Sequence, residues 1–295
     1  TRVEVRDGAV LGVTAQALVA GTQRALGEVY VSAPAVALCA SATGTPALLQ
    51  RSDIPDPSEQ TGRSLRIHPA VLAAGDFDEP VHAWRGIPQT YECTEFLRFE
   101  HGETAEPNRL WIVPAFAHPV GTATMLPGMA GGHAELMQRY PNLGVFTAML
   151  HDHTRGQVQP RGDLGVGIDY WPDAADRAQL AYGIWACARL LFAAGAKRVL
   201  IPTDPVQIIE SEDDLEHLKQ IDLRPGAIDI TAVHPMASVP MGDDPRQAAV
   251  GSRGKHHHID GLWVADASLF PSSIGVPPQL STYALGLHVG RSLVD

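Results

Sequence analysis

The sequence predicts a mixed α/β (α+β) fold, and three patterns lead to that prediction. Short segments near the start alternate apolar with polar residues between glycine turns, as β-strands do. Residues 36–49 pass from a continuous apolar run through small residues into a helical pattern. Residues 174–194 repeat apolar side chains at helical spacing. A chain of 295 residues is long enough for one large domain or two smaller ones.

The first 51 residues predict strands followed by a helix. Alternation predicts strands over 3–5, 12–19 and 28–32, and the run 36–40 predicts a strand buried on both faces. Gly44-Thr-Pro46 then predicts the start of a helix, because proline suits the first helical turn. A strand, a turn of small residues and a helix form a unit that can place backbone near a phosphate.

The middle of the chain predicts short β-segments and one long helix. Segments such as 110–113 and 143–150 are β-like, and Gly/Pro-rich stretches around 119–132 and 155–166 predict long loops. Asp173 is a candidate N-cap and Gly195 a candidate helix terminator for the helix 174–194.

The last third predicts further elements around its polar residues. An acidic helix is expected near 211–221, and an apolar strand is expected over 228–233, just before His234. Asp266 ends a predicted strand that begins at Leu262, and a final helix follows Ser281.

Charge and composition exclude several classes of protein. The formal net charge is −11, from 22 basic and 33 acidic residues, without a long run of one sign, which argues against nucleic acid as the main partner. The sequence contains no run of about 18 apolar residues, so no membrane span is predicted. The start of the chain shows no signal peptide, and the compartment is left open. Cys39, Cys93 and Cys187 are odd in number and far apart, so we expect buried free thiols.

One block near the end of the chain carries the most specific pattern. His-Pro-Met-Ala-Ser-Val-Pro-Met-Gly occupies 234–242, Leu-Trp-Val-Ala-Asp-Ala-Ser-Leu-Phe-Pro occupies 262–271, and Ser-Ser-Ile-Gly-Val-Pro-Pro-Gln-Leu-Ser occupies 272–281. This order resembles the C-terminal signature of the glucose–methanol–choline (GMC) family of flavoproteins, which oxidise alcohols with FAD. The segment 36–49, Val-Ala-Leu-Cys-Ala-Ser-Ala-Thr-Gly-Thr-Pro-Ala-Leu-Leu, resembles a second signature of that family.

The resemblance implies a domain plan. The fold would be part of a Rossmann-like FAD-binding domain plus a substrate domain built on an antiparallel sheet with helices. Residues 1–60 would be the first part of the FAD-binding domain, 61–235 the substrate-binding domain, and 236–295 the C-terminal part of the FAD-binding domain. The segments 62–69 and 86–96 are similar to the long-chain alcohol oxidase and dehydrogenase branch.

The resemblance also implies roles for individual residues. His234 matches the catalytic histidine, which takes the hydroxyl proton of the alcohol while hydride moves to flavin N5. The residues that the resemblance places against FAD are Val3, Ala40, Ser41, Asp266, Ala267, Pro277, Pro278 and Gln279. Judged alone, His234 is as readily a hydrogen-bonded core histidine, Asp266 an ordinary helix N-cap, and 36–49 a plain strand-to-helix turn.

Three positions depart from the family pattern. Ser41 stands where glycine is usual, and Asp53 replaces another glycine. Pro277 occupies the place of the asparagine or second histidine that partners the catalytic imidazole, and proline has no side-chain donor or acceptor. Either His234 works alone, or Ser272, Ser273 or an upstream residue substitutes, or the reaction is slower or altered.

Other polar residues are given simpler interpretations. His68 before a proline is expected to be a structural, hydrogen-bonded histidine, and the histidines of 151–153 and 256–258 are expected on surface loops. No matched ligand set predicts a metal site. Gln89 and Glu95 either face a substrate cavity or stabilise a strand edge.

The glycine-rich FAD fingerprint of the family, Gly-x-Gly-x-x-Gly, is absent from the 295 residues. We therefore expect a second polypeptide to supply the N-terminal FAD-binding segment, and a small-molecule alcohol to be the substrate. A flavin-containing lyase, or a non-catalytic scaffold subunit of the same fold, remains an alternative.

Overall fold

The computed structural model describes residues 1–22, 24–97, 109–126, 128 and 131–294. Its strands and α-helices are, in chain order, β1 (Arg2–Arg6), β2 (Ala9–Leu18), β3 (Ala25–Ser32), β4 (Val36–Leu38), α1 (Ser41–Arg51), β5 (Ala70–Asp76), β6 (Leu110–Pro114), α2 (Pro119–Met125), α3 (Gly131–Gln138), β7 (Leu143–Leu150), β8 (Gln157–Arg161), β9 (Gly165–Asp169), α4 (Ala174–Ala193), β10 (Arg198–Ile201), β11 (Gln207–Ile209), β12 (Leu262–Val264) and α5 (Gln279–Ser292). Short 3₁₀ helices lie at Tyr140–Asn142, Glu212–Gln220 and Ala267–Leu269.

Two compact units make up the chain. Unit 1 contains Thr1–Ile67, His153–Trp171 and Val233–Asp295, and unit 2 contains His68–Asp152 and Pro172–Ala232. The hairpin of β8 and β9 therefore groups with the two ends of the chain.

Unit 1 combines an antiparallel sheet with a short parallel pair of strands. The antiparallel sheet has the order β1-β2-β3, and Val3 lies opposite Val13 in its register. The strands β4 and β12 pair in parallel, with Leu38 opposite Val264. Apolar side chains from both sheets, from α1 and from α5 share one core, which includes Val3, Leu38, Leu49, Leu262, Val264, Leu269 and Val289.

Unit 2 is a five-stranded sheet in the order β11-β10-β5-β7-β6, in which each neighbouring pair is antiparallel. The helix α4 packs across one face of this sheet, and their shared core includes Val71, Ile112, Ala148, Leu150, Leu180, Ile184 and Leu191. At the end of the central strand β5, the buried carboxylate of Asp76 receives hydrogen bonds from Arg139 and Arg198. These hydrogen bonds connect β5 to β10 through Arg198 and to the end of α3 through Arg139.

The mixed fold and the antiparallel sheet with its helix are confirmed, as are the strands near the start. The long helix is confirmed with its caps, because the Asp173 side chain accepts from Asp176 N and Gly195 has a positive φ of 96°. The expected acidic helix is present as a 3₁₀ helix rather than an α-helix. Within the described residues, no helix combines the length and apolar character needed to cross a bilayer.

Other local predictions are wrong. The stretch predicted as a loop around 119–132 contains α2 and the start of α3, and the stretch 155–166 contains most of the hairpin of β8 and β9. The helix α1 begins at Ser41, so Pro46 lies in its second turn rather than its first. Residues 228–233 form isolated bridges at Ile228 and Thr231 but not a strand.

Candidate functional site

His234 is half-buried and lies in unit 1, outside its helices and strands. Two residues later, Met236 N donates to Arg66 O (2.8 Å) and Arg66 N donates to Met236 O (2.9 Å), which fixes the backbone after the histidine. Burial lowers the pKa of His234 below its ordinary value, because desolvation disfavours the imidazolium. The imidazole is therefore largely neutral at neutral pH, which is the form that can accept a proton.

The segment after His234 pairs with the segment after Asp266. Ala237 N donates to Ala267 O (3.0 Å), Val239 N to Ser268 O (2.9 Å) and Met241 N to Leu269 O (3.0 Å). Residues 236–239 are buried along this contact. The histidine block and the aspartate block, which are about 30 residues apart in the sequence, are thus held side by side in one core.

Asp266 is buried and caps the 3₁₀ helix at Ala267–Leu269. Its Oδ1 accepts from Ser268 N (2.9 Å) and from Ser268 Oγ (2.5 Å), while its Oδ2 accepts from Thr45 Oγ1 (2.5 Å). Thr45 Oγ1 also accepts from Ala40 N (3.1 Å). The N-cap interpretation of Asp266 is correct, and the same carboxylate also joins the start of α1 to the Asp266 block.

The turn that leads into α1 shows why the family pattern has glycine at the position of Ser41. Ser41 is exposed and has φ of 69°, a left-handed conformation that glycine adopts without steric cost. Ala40 precedes it as the N-cap residue and is also exposed. The serine therefore keeps the backbone path that glycine would favour, at some conformational cost.

The starts of α1 and α5 share one electrostatic feature. Neither helix has an acidic residue in its first turn, so no side chain of that turn neutralises the positive end of the helix dipole. Residues 41–44 at the start of α1 are small, which allows backbone N–H groups to approach a phosphate closely. The assignment of residues at these two helix starts to FAD stays a prediction.

The other predicted cofactor contacts, Val3, Pro277, Pro278 and Gln279, differ in burial and in hydrogen bonding. Val3 is buried and its N–H donates to Ser52 Oγ (2.9 Å), so that group is already used within the chain. Pro277 is exposed, Pro278 is the N-cap of α5, and Gln279 begins the helix. Gln279 Nε2 donates to Tyr283 Oη (2.8 Å) one turn further along.

The two serines that are candidates to replace the missing partner at Pro277 differ in burial. Ser272 is exposed and its hydroxyl donates to Ser273 O (3.2 Å). Ser273 is buried in unit 1, the unit that also contains His234.

Sequence reasoning missed Thr45 as a site residue. Its hydroxyl bridges Ala40 N and Asp266 Oδ2, and its side chain is fully buried. In the sequence, a threonine directly before a proline indicates only a helix start. No local pattern signals that its partner lies 221 positions away.

Several simpler interpretations are corrected. His256 is buried, not on a surface loop, and its Nδ1 accepts from His258 N (3.2 Å). Desolvation and the nearby His258 lower the pKa of His256 to about 4. Cys39 is exposed and Cys93 is half-buried, whereas Cys187 is buried as expected. Among the described residues, no group of three or more potential ligands could hold a metal ion.

The remaining polar leads lie in unit 2. His68 is buried and its backbone N–H donates to Asp152 Oδ1 (3.3 Å), which agrees with a structural role. Gln89 lines a cavity of that unit, and Glu95 is exposed.

Comparison with known proteins gives a consistent set of relatives. Residues 152–286 match the family model described as GMC oxidoreductase. An uncharacterized GMC-type oxidoreductase of Mycobacterium tuberculosis is 34% identical over 266 residues, which cover 90% of this chain and 40% of that protein. A long-chain-alcohol oxidase of Arabidopsis thaliana is 26% identical over 282 residues, which cover 91% of this chain and 36% of that enzyme. The chain thus spans about two fifths of the length of these relatives.

Solved structures show the same fold at lower identity. A pyridoxine 4-oxidase from Mesorbium loti superposes with a TM-score of 0.67 at 21% identity, over 99% of this chain and 56% of that one. A formate oxidase of Aspergillus oryzae, studied for modification of its FAD, superposes with a TM-score of 0.69 at 16% identity, over 99% of this chain and 59% of that one.

Proposed function

The chain belongs to the GMC oxidoreductase family, and we propose that it is one part of a two-piece, FAD-dependent alcohol oxidase or dehydrogenase. The observation that carries the proposal is the pairing of the His234 block with the Asp266 block beside the start of α1. This pairing gathers the predicted base and the predicted cofactor contacts in one unit of the fold. The similarity to a long-chain-alcohol oxidase supports an apolar or bulky alcohol as the substrate.

In the proposed reaction, the residues of this chain accept the hydroxyl proton and position the substrate and the cofactor. Bound FAD supplies the hydride acceptor for the oxidation of the alcohol to a carbonyl compound. His234 accepts the hydroxyl proton through its neutral imidazole, which its low pKa keeps available. The exposed N-terminal backbone of α5 would stabilise negative charge near the cofactor, because the positive end of the helix lies there.

Asp266 and Thr45 act by holding the backbone in place. The Asp266 carboxylate already accepts hydrogen bonds from Thr45 and Ser268, so it fixes the turn before α1 against the 3₁₀ helix. Ala40 and Ser41 at that turn are exposed and would lie against the adenosine and pyrophosphate of FAD, although the Ala40 N–H already donates to Thr45 Oγ1.

Exposed apolar surface in unit 1 supports the proposal that a second polypeptide binds there. Every residue of β3 is exposed, including Leu26 (68%) and Val31 (52%). A further FAD-binding segment would cover this strand and supply the missing phosphate loop.

Purification of the intact complex through a tag on this chain tests the proposal. We expect a second polypeptide and FAD to co-purify, and addition of dodecanol without oxygen to bleach the absorption bands of the oxidised flavin. Recovery of neither a second polypeptide nor flavin would overturn the proposal.

Pro277 favours one further candidate, a flavin-containing lyase, because the usual partner of the catalytic imidazole is absent there. Turnover with an unchanged flavin spectrum would support that lyase. A complex without flavin would instead indicate a non-catalytic scaffold subunit.

A further inference from the structure

Unit 2 contains a cavity of about 330 Å³ that none of the proposed catalytic or FAD-binding residues lines. Its walls come from the loop 77–90, the end of β6 and the next two residues, the strand β7 and the last turn of α4. This volume lies within the range of pockets that bind small molecules. The cavity is on the face of the sheet that carries α4, because Phe146 and Leu191 contribute both to its wall and to the core beneath that helix.

The apolar floor of the cavity has a specific construction. Gly75 of β5 and Gly144 of β7 lie opposite each other in the sheet register. A Cβ built on either glycine would approach the ring of Phe77 to 3.0 Å. The two glycines therefore form a flat surface for this ring, and Phe116 and Phe146 add further aromatic wall.

Apolar side chains also surround the mouth of the cavity. Ile87 is 79% exposed, Val81 43% and Phe116 40%, and all three line the cavity. Large apolar side chains exposed together around a concave opening are typical of a ligand-binding site.

The lining of the cavity includes one basic side chain, that of Arg85. Arg85 is the only residue with a formally charged side chain among the described residues that line the cavity. Its guanidinium lies 5.9 Å from the centre of the Trp84 ring, and Trp84 stacks on Tyr140 at 4.4 Å. Tyr140 Oη donates to Ala117 O (2.6 Å), which anchors the aromatic pair. Within the described part of the chain, no carboxylate forms a salt bridge with Arg85.

We propose that this cavity binds an apolar monocarboxylate. The hydrocarbon part would lie against Phe77, Phe116 and Phe146, and the carboxylate would pair with Arg85. The aromatic walls favour an apolar body, and an exposed arginine beside an aromatic ring is available to pair with a carboxylate.

Binding of octanoate to the full chain, measured by titration calorimetry at neutral pH and about 0.15 M salt, tests the proposal. The salt screens the net negative charge of the protein beyond about 8 Å. We expect a dissociation constant of about 1 mM or tighter, and weaker binding of the neutral analogue octanamide. No binding of octanoate, or equal binding of both probes, would overturn the proposal. The measurement needs neither flavin nor turnover, so its failure is distinct from failure of the proposed enzyme function.

Variants locate the bound probe. Arg85→Gln should weaken octanoate about tenfold and leave octanamide unchanged. Ala194 is an exposed position in the wall, and Ala194→Trp should block both probes. Ile87→Glu at the mouth should weaken octanoate, and it provides an independent test if Ala194→Trp does not fold. Arg224→Gln is the matched control, because Arg224 is 77% exposed and does not line the cavity. Unchanged octanoate binding in the Arg85, Ala194 and Ile87 variants would place the probe elsewhere and refute the assignment.

Discussion

At the residue scale, the protonation state of His234 sets the expected behaviour of the proposed enzyme. Its pKa lies below 6.5 because it is half-buried, so the base form is present at neutral pH. The rate of flavin reduction should be nearly constant above about pH 7.5 and fall as the pH drops through this lowered pKa.

Replacement of His234 tests its role directly. His234→Ala in the assembled enzyme should slow flavin reduction by about 100-fold or more, because general-base catalysis contributes 10²–10⁴-fold. Stopped-flow absorbance without oxygen measures this rate. His288→Ala is the control, since His288 is exposed on α5 and contacts Ser252 O. An unchanged rate in His234→Ala would remove this residue as the base.

His256 makes a prediction about stability rather than activity. Its folded pKa of about 4 lies below the ordinary value of 6.5, so the unfolded chain binds more protons between these pH values. The stabilisation is complete above pH 6.5 and should decrease by about 3 kcal/mol as the pH falls to 4.

Urea unfolding at several pH values measures this decrease. His256→Asn, which keeps a side-chain acceptor for His258 N, should show a flatter pH dependence of the unfolding free energy than the wild type. The exposed His288→Asn should retain the wild-type slope. Equal slopes for His256→Asn and the wild type would contradict the buried, neutral state of His256.

At the element scale, Thr45 joins α1 to the Asp266 block. Thr45→Val removes the donor to a buried carboxylate and the acceptor for Ala40 N at nearly constant volume, and should destabilise unit 1 by about 2–3 kcal/mol. Thr45→Ser keeps the hydroxyl and should cost only about 1 kcal/mol, for one buried methyl group. Urea unfolding compares the two, and equal losses would show that packing rather than the hydrogen bonds stabilises this contact.

The elements differ in how far the sequence predicts them. The helix α4 is predicted with its boundaries, because the cap at Asp173 and the terminator Gly195 are local features. The helix α1 begins earlier than predicted, because its N-cap Ala40 has no side-chain oxygen to mark the start. The hairpin of β8 and β9 is missed because glycine, proline and exposed side chains hide its strand pattern.

In the candidate site, too, some residues are predictable from the sequence and others are not. His234 and Asp266 stand out in the sequence through a family pattern, although their backbone pairing depends on the folded core. Thr45 and the burial of His256 have no local signal, since both depend on contacts between segments that are far apart in the chain. Sequence patterns therefore identify candidate residues, while tertiary contacts determine their environment.

At the scale of the whole molecule, α5 exposes an apolar stripe that a globular protein normally covers. Leu280 is 80% exposed, Tyr283 63% and Leu287 59%, and their spacing places them near one face of the helix. On the other side, Val289 packs into the core of unit 1. We expect this stripe to contact the second polypeptide of the proposed enzyme, because exposed apolar patches of this kind mark interaction surfaces.

The combined Leu280→Glu and Leu287→Glu variant tests this role of α5. It should retain the circular dichroism of the wild type, because both side chains are exposed, and should lower the yield of co-purified second polypeptide at least about tenfold, since two buried charges oppose docking. Ile208→Glu is the control, because Ile208 is 45% exposed on β11 of unit 2. Equal recovery of the partner by the double variant and the control would show that α5 does not contribute to the interface, and the exposed strand β3 would then be the next surface to test by the same substitution.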